Sequence, residues 1–428
     1  MTTLLIFSVL VGLMLLGMPI AVAMGLTAVL GFIVLGDAIL LNVVGQRIYA
    51  STTAFPLLAI PFFILAGNLM NTGGMTERIF KFAHTLVGHV KGGLGHVNIV
   101  GSMIFAGMSG SALADAMGLG SVEVKAMTAR GYPKAFAAAV SAASATIGPV
   151  IPPSVPLVIF GSMTGVSVGA LFLGGVVPGV LMGVAMMITV AIIAKRRNYP
   201  SEARATFREA LRSLADGVLA VGTPAIIMGG ILFGIFTPTE ASVVACLYAL
   251  ILGMGIYREL KWRDLPKILL DTANQTAQVM WIVAAAGLFG WLLIFLRIPD
   301  QLIAALTALS ADKWVVLALI NLILLLLGCF MEGIAIILLT VPIFMPIVMK
   351  MGIDPVHFGV VMTLNLMIGL LTPPVGMVLY AMSSVAKVTM IQLTRELIPF
   401  IVSIFAVLIL ITFVPPMVTW LPNLILGR

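Results

Sequence analysis

The chain has 428 residues, 61% of them hydrophobic and 9% charged. That leaves too little polar surface to clothe a soluble protein of this size, so most of the chain faces lipid or itself. The net charge of +7 sits in short loops between apolar runs rather than along one face. This excludes a nucleic-acid-binding surface and fits positive-inside membrane topology.

Charge-free apolar runs at Met1 to Gly36, Ala135 to Ala194, Thr272 to Leu296 and Leu397 to Gly427 all reach the roughly 20 residues that span a bilayer as helix. The first run lacks the short core and cleavage site of a secretory signal and reads as mature membrane sequence. Next, Lys91 precedes and Lys125, Arg130 and Lys134 follow the segment 92–124. Positive charge at both ends predicts a re-entrant hairpin that enters and leaves on the cytoplasmic side. Ala135 to Ser162 then crosses outward, and Gly169 to Ala194 returns to a basic cytoplasmic linker, 196–216, containing Arg196, Arg197, Arg204, Arg208 and Arg212.

Residues 217–428 repeat the pattern of 1–195. Pro19 pairs with Pro238 at an offset of 219. LAGNLMN from Leu65 pairs with LLGCFME from Leu326, and His96 with His357, at 261. This register continues to Ser111 and Thr372, and Pro152-Pro153 then pairs with Pro415-Pro416 at 263. The growth from 219 to 261 implies an arm of 42 residues inserted at 258–299. The second hairpin then falls at about 355–386, entering from the periplasm, with Lys387 on that side and Arg428 back in the cytoplasm. The expected fold is an all-α polytopic membrane protein of two inverted repeats, each with a re-entrant hairpin and a proline-broken helix.

Backbone groups freed from a helix inside a bilayer cost several kcal/mol each unless protein, ions or water satisfy them, so the breaks are candidate sites. The first is the tip Gly107-Met108-Ser109-Gly110-Ser111, with two hydroxyls. The second, Gly148 to Ser154, carries Pro149, Pro152 and Pro153, which remove amide donors and leave carbonyls for a small hard cation. In the second half Gly369 to Gly376, with Thr372, Pro373 and Pro374, takes the place corresponding to the tip, and Val414-Pro415-Pro416 the place corresponding to the break. Helix N-termini at hairpin tips favour an anionic substrate. Glu332 is a lone carboxylate in an apolar run and a functional candidate, whereas Asp115 and Glu240 read as carboxylates paired at the edge of the site. Cys246 and Cys329 read as packed thiols. His84, His89 and His96 read as solvated near a basic loop, not as metal ligands. The chain contains no glycine-rich nucleotide loop ending in Lys-Ser or Lys-Thr, which points to an ion gradient rather than ATP as the energy source.

The strings GMSGSALADAMGLGSV, IGPVIPPSVPLVIFG, FGIFTPTEAS and DPVHFGVVMTLNLMIGLLTPPVGMVLY resemble the large membrane subunit of tripartite ATP-independent periplasmic (TRAP) transporters across nearly the whole chain. The resemblance implies an elevator-type secondary transporter in the bacterial inner membrane, not an enzyme, that imports an organic acid anion such as a dicarboxylate or sialic acid with Na+. It implies two partners: a small four-helix membrane subunit, expected as a separate chain, and a soluble periplasmic substrate-binding protein. By matching motif, Ser109, Gly110 and Ser111 with Gly148, Pro149 and Pro152 would form one sodium site, and Gly369, Thr372 and Pro373 would contribute to another. Ser111, Ser154 and Glu332 would face the substrate. A single-component sodium/anion symporter and a non-transporting membrane scaffold are the alternatives.

Overall fold

A computed structural model describes residues 2–34, 43–199, 201, 206–301, 304 and 312–427. All regular structure among them is helical. In chain order these are α1 (Thr2–Leu15), α2 (Ile20–Val34), α3 (Val44–Thr52), α4 (Ala59–Thr72), α5 (Met75–Val87), α6 (Gly93–Ser109), α7 (Ala112–Ala129), α8 (Lys134–Ala145), α9 (Val155–Thr164) and α10 (Val168–Arg197). There follow α11 (Phe207–Leu232), α12 (Pro238–Leu250), α13 (Leu265–Phe295), α14 (Lys313–Gly328), α15 (Gly333–Lys350), α16 (Pro355–Gly369), α17 (Met377–Ala386), α18 (Met390–Phe413) and α19 (Pro416–Leu426). Seven helical segments among the described residues are long and apolar enough to cross a membrane.

The helix ends follow from local chemistry. Gly110 sits at φ +63° and lets α6 turn directly into α7, a conformation that strains any residue with a Cβ. Ser111, Ser154, Ser167, Glu332, Asp354 and Thr389 each accept a backbone amide as the N-cap of the helix they precede, satisfying donors that a helix start leaves open. Glu240 lies in a capping box with Thr237 at the start of α12, so its carboxylate is accounted for locally. Cys246 and Cys329 are buried and free.

The caps reveal the internal register. Ser111 and Glu332 are 221 residues apart (332 − 111), as are the prolines Pro152-Pro153 and Pro373-Pro374 (373 − 152), both cis. Ser167 and Thr389 are 222 apart (389 − 167). Packing obeys the same exchange of halves. α6 lies against α7 and α14 against α15; α7 packs on α17 and α15 on α9; α8 packs on α18 and α16 on α10. Every residue of α8 from Phe136 to Ala145 and of α16 from Val356 to Gly369 is buried, so these two form the centre. Around them α4 packs on α12, α2 and α3 on α13, and α5 on α11.

This arrangement corrects three expectations. The second fold-back pair is α14–α15, not 355–386; α16 and α17 do not lie side by side but are two pieces of one broken element, the counterpart of α8 and α9. Residues 258–299 are not an insertion. They contain α13, a single helix opposite the shorter pair α3 and α4 at the same offset. Lys387 also changes sides. Arg197, at the basic end of α10, pairs with Glu396 at 2.8 Å, and the Tyr199 ring lies tilted against Phe136, 5.0 Å between centroids, itself near Phe400. The start of α18 therefore shares a face with the open end of the first hairpin and with the basic linker, of which Arg204 lies outside the described residues. The other end of α18 holds Trp314 against Phe413 and the His357 ring on the carbonyl of Ile411 at 2.7 Å. The open ends of the two hairpins thus lie at opposite ends of α18, whose 24 residues extend about 36 Å. His96, expected to be solvated, is buried.

Candidate functional site

Each hairpin tip is docked on a helix break. A Cβ on Gly110 would lie 3.0 Å from the carbonyl oxygen of Pro153, so the first tip rests against the break between α8 and α9. In the second half the Cys329 carbonyl accepts the amides of Val375 and Gly376 at 3.3 and 3.1 Å. Gly328 and Gly369 meet backbone to backbone, and a Cβ on Gly369 would come within 2.5 Å of Gly328 Cα. Only glycine permits either approach.

Between the tips and the scaffold helices α4 and α13 lies a cavity of about 420 Å³. The first residues of α7 and α15 open onto it, with Ser111 and Glu332 at their heads. Two helix N-termini, each equivalent to roughly half a positive charge, thus converge on one space. Among the described residues the lining contains Asp115 and Glu332 but no lysine, arginine or histidine. An anion entering here meets backbone dipoles rather than basic side chains. The opposite wall is neutral and polar, formed by Asn68 and Asn71 of α4 and Gln275 and Gln278 of α13.

The two sets of expected ligands are separate. Ser109 ends α6, and its side chain lies outside the described ones. Gly110, Ser111 and Pro149 line the cavity, and Gly148 adjoins Asp115, whose Oδ2 a Cβ would meet at 2.6 Å. Among the described residues no backbone amide bonds to the carbonyls of Gly148, Val150, Ile151 or Pro152, the kind of oxygen that unwound helices offer a small cation. The segment 148–152 is therefore chemically suited to Na+. Ser154 is fully buried behind this break, donating to the Pro149 carbonyl and accepting the Leu157 amide; it does not line the cavity. In the second half, Gly369 packs on the hairpin. The Thr372 hydroxyl donates to the Ile368 carbonyl at 2.7 Å, and Pro373 is exposed. Glu332 is no isolated acid: its Oε2 accepts the Ala335 amide at 3.2 Å, the place Ser111 takes at the head of α7.

Asn68, Asn71, Gln275, Gln278, Asp115 and the Cys329 carbonyl were not among the expected site residues. The four amides stand out in the sequence only as polar residues in otherwise apolar helices. The role of Cys329 was available from the offset of 221 between IGPVIPPS and IGLLTPPV (368 − 147).

Residues 7–417 match the family described as the DctM component of tripartite ATP-independent periplasmic transporters. The chain belongs to this family. It is 47% identical to the sialic acid TRAP transporter large permease protein SiaM of Vibrio cholerae, over 97% of both chains. It is 39% identical to the C4-dicarboxylate TRAP transporter large permease protein DctM of Pseudomonas aeruginosa, over 88% of both. Among solved structures, the YdaH transporter of Alcanivorax borkumensis matches with a TM-score of 0.66 at 14% identity, covering 88% of this chain and 89% of that one. That likeness concerns the fold alone. This TRAP large permease is thus a multi-pass protein of the bacterial inner membrane and a transporter rather than an enzyme.

Proposed function

We propose that the permease imports an organic acid anion with Na+ and that the cavity between the hairpin tips is its translocation site. The observation that carries this is the convergence of the α7 and α15 N-termini on one cavity, beside the break at 148–152, whose Gly148, Val150, Ile151 and Pro152 carbonyls accept no backbone amide among the described residues. Na+ would be held at one site by Ser109, Gly110 and Ser111 with Gly148, Pro149 and Pro152, and at another by Gly369, Thr372 and Pro373 with the Cys329 tip. Bound cations supply the positive charge that the lining side chains lack. Ser111 and the α15 head would meet the substrate carboxylate. The capping bond of Glu332 turns one of its oxygens to its own helix and so limits repulsion. Ser154 would act by holding the break.

The relatives are named for sialic acid and C4-dicarboxylates, and the substrate belongs to that class of small carboxylates. The placement of the hairpins' open ends at opposite ends of α18 supports inverted repeats. Movement of α6–α10 with α14–α18 against the outer helices would give elevator-type alternation. A small membrane subunit would brace those outer helices, and a periplasmic binding protein would deliver substrate, favouring one end state through its differential contacts. The test is uptake of labelled sialic acid and succinate into proteoliposomes, with and without a sodium gradient, for the permease alone and with both partners. Sodium-driven uptake only in the complete system is expected. Robust uptake by the permease alone would favour a single-component symporter, and none under any condition would favour a scaffold.

A further inference from the structure

Away from the cavity, the first hairpin contains a buried polar knot that transport by the tips does not use. Glu123 of α7, Asn98 of α6, and Ser141 and Ser144 of α8 are all buried. The Asn98 amide nitrogen donates to Glu123 Oε2 at 2.7 Å and to Ser141 Oγ at 2.7 Å, and the Ser144 hydroxyl donates to Asn98 Oδ1 at 2.6 Å. Glu123 Oε1 is buried with no hydrogen-bond partner. Gly120, one turn earlier, brings α7 close to α8: a Cβ there would lie 3.5 Å from that of Ser141 and 2.9 Å from Met382 Sδ of α17. The knot sits about 16 Å along α7 from the tip.

A buried carboxylate anion without a cation costs several kcal/mol, so the electrostatic partner of Glu123 must be found. Among the described residues no lysine, arginine or histidine hydrogen bonds or ion pairs with it. On its own helix the other charged groups are Asp115, which adds negative charge, and the exposed Lys125. Of the elements packed against α7, α6 brings His96, also buried, α8 brings Lys134, and α17 brings Tyr380, the last two exposed. A metal cation fits poorly, because the Asn98 N–H occupies Oε2 and, among the described residues, no group of three or more His, Cys, Asp or Glu side chains is placed to hold one. A proton does fit, since Oε1 is free to carry it.

The second half provides an internal control. At the same offset Glu123 is replaced by Phe344, Asn98 by Leu319 and Ser144 by Asn365 (344 − 123 = 221). There the hairpin is tied to the broken helix by neutral groups alone. Asn365 donates to the Asn321 carbonyl and side-chain oxygen at 2.9 and 3.0 Å, and Asn321 donates to Thr412 at 3.1 Å. Fastening helices therefore does not require an acid. We propose that Glu123 is a proton-binding site distinct from the cavity, and that its neutral carboxylic acid holds α6, α7 and α8 together as one body. Removal of the proton places an unpaired charge in that packing and loosens it.

Two measurements on the purified full-length chain in lipid nanodiscs test this without any transport. In infrared difference spectra, a carboxylic-acid carbonyl band should be present at neutral pH, vanish in Glu123→Gln and persist in Asp115→Asn. In thermal unfolding across mildly acid to mildly alkaline pH, the wild type should lose stability as pH rises, because the folded state retains a proton that the unfolded chain releases. Glu123→Gln, which mimics the neutral acid, should fold and lack that component. A spectrum unchanged by Glu123→Gln, a variant that fails to fold, or a variant with the wild-type pH slope would each overturn the proposal. Failure of sodium-driven uptake would leave these readouts unaffected.

Discussion

Gly110 shows how much of the site depends on single backbone positions. Its φ of +63° and its approach to the Pro153 carbonyl join the first tip to the first break. Gly110→Ala should therefore lower unfolding stability by about 1–2 kcal/mol, the left-handed penalty for a residue with a Cβ. An unchanged melting temperature in detergent would show that the tip does not hold this turn. Ser111 is different, because its hydroxyl caps α7 and also lines the cavity. Ser111→Ala should cost about 1 kcal/mol as a lost cap, and in uptake assays it should raise the sodium half-saturation as one of the proposed ion ligands is removed. Wild-type sodium dependence in the variant would reduce Ser111 to a structural cap.

The hairpins and broken helices behave as matched pairs, and their orientation is testable. Arg197–Glu396 and the Tyr199–Phe136–Phe400 contacts place the start of α18 beside the open end of the first hairpin. Exposed Lys125 and Lys387 should thus share the cytoplasmic face, with exposed Lys350 on the other. With Cys246 and Cys329 replaced, single cysteines at 125 and 387 should react with an impermeant thiol reagent from the cytoplasm and one at 350 from the periplasm. Reaction of all three from one side would contradict the packing. The sequence-based placement of Lys387 failed because Ser111 had been aligned with Thr372, a shift that moved the hairpin by one element pair. Apolar helices resemble one another at many offsets. Only the caps and the two proline pairs, which do different jobs in different elements, fix the true one.

Across the whole molecule, α4 and α13 face the hairpin tips over the cavity, and a Cβ on Gly118 of α7 would lie 3.8 Å from the Asn71 amide nitrogen of α4. If the central helices move against the outer ones, a bond here must stop them. In a background without Cys246 and Cys329, Gly118→Cys with Asn71→Cys should cross-link under mild oxidation. The link should abolish uptake by the complete system, and reduction should restore it. Uptake that survives quantitative cross-linking would exclude sliding at this surface.

Composition alone determined that the chain lives in a bilayer, because 9% charged residues cannot cover a soluble fold. Glycines and prolines located the tip at 107–111 and the breaks at 148–154 and 369–376, since these residues are where an intramembrane helix must release its backbone. Tertiary structure decided which break belongs to which hairpin, that Glu332 heads a helix as Ser111 does, and that amides of α4 and α13 complete the cavity wall. Those facts depend on contacts between separate elements, from Gly376 with the Cys329 carbonyl to Asn68 with Thr272. Hydropathy carries no record of them, because every partner in such a contact is an apolar helix with the same local pattern.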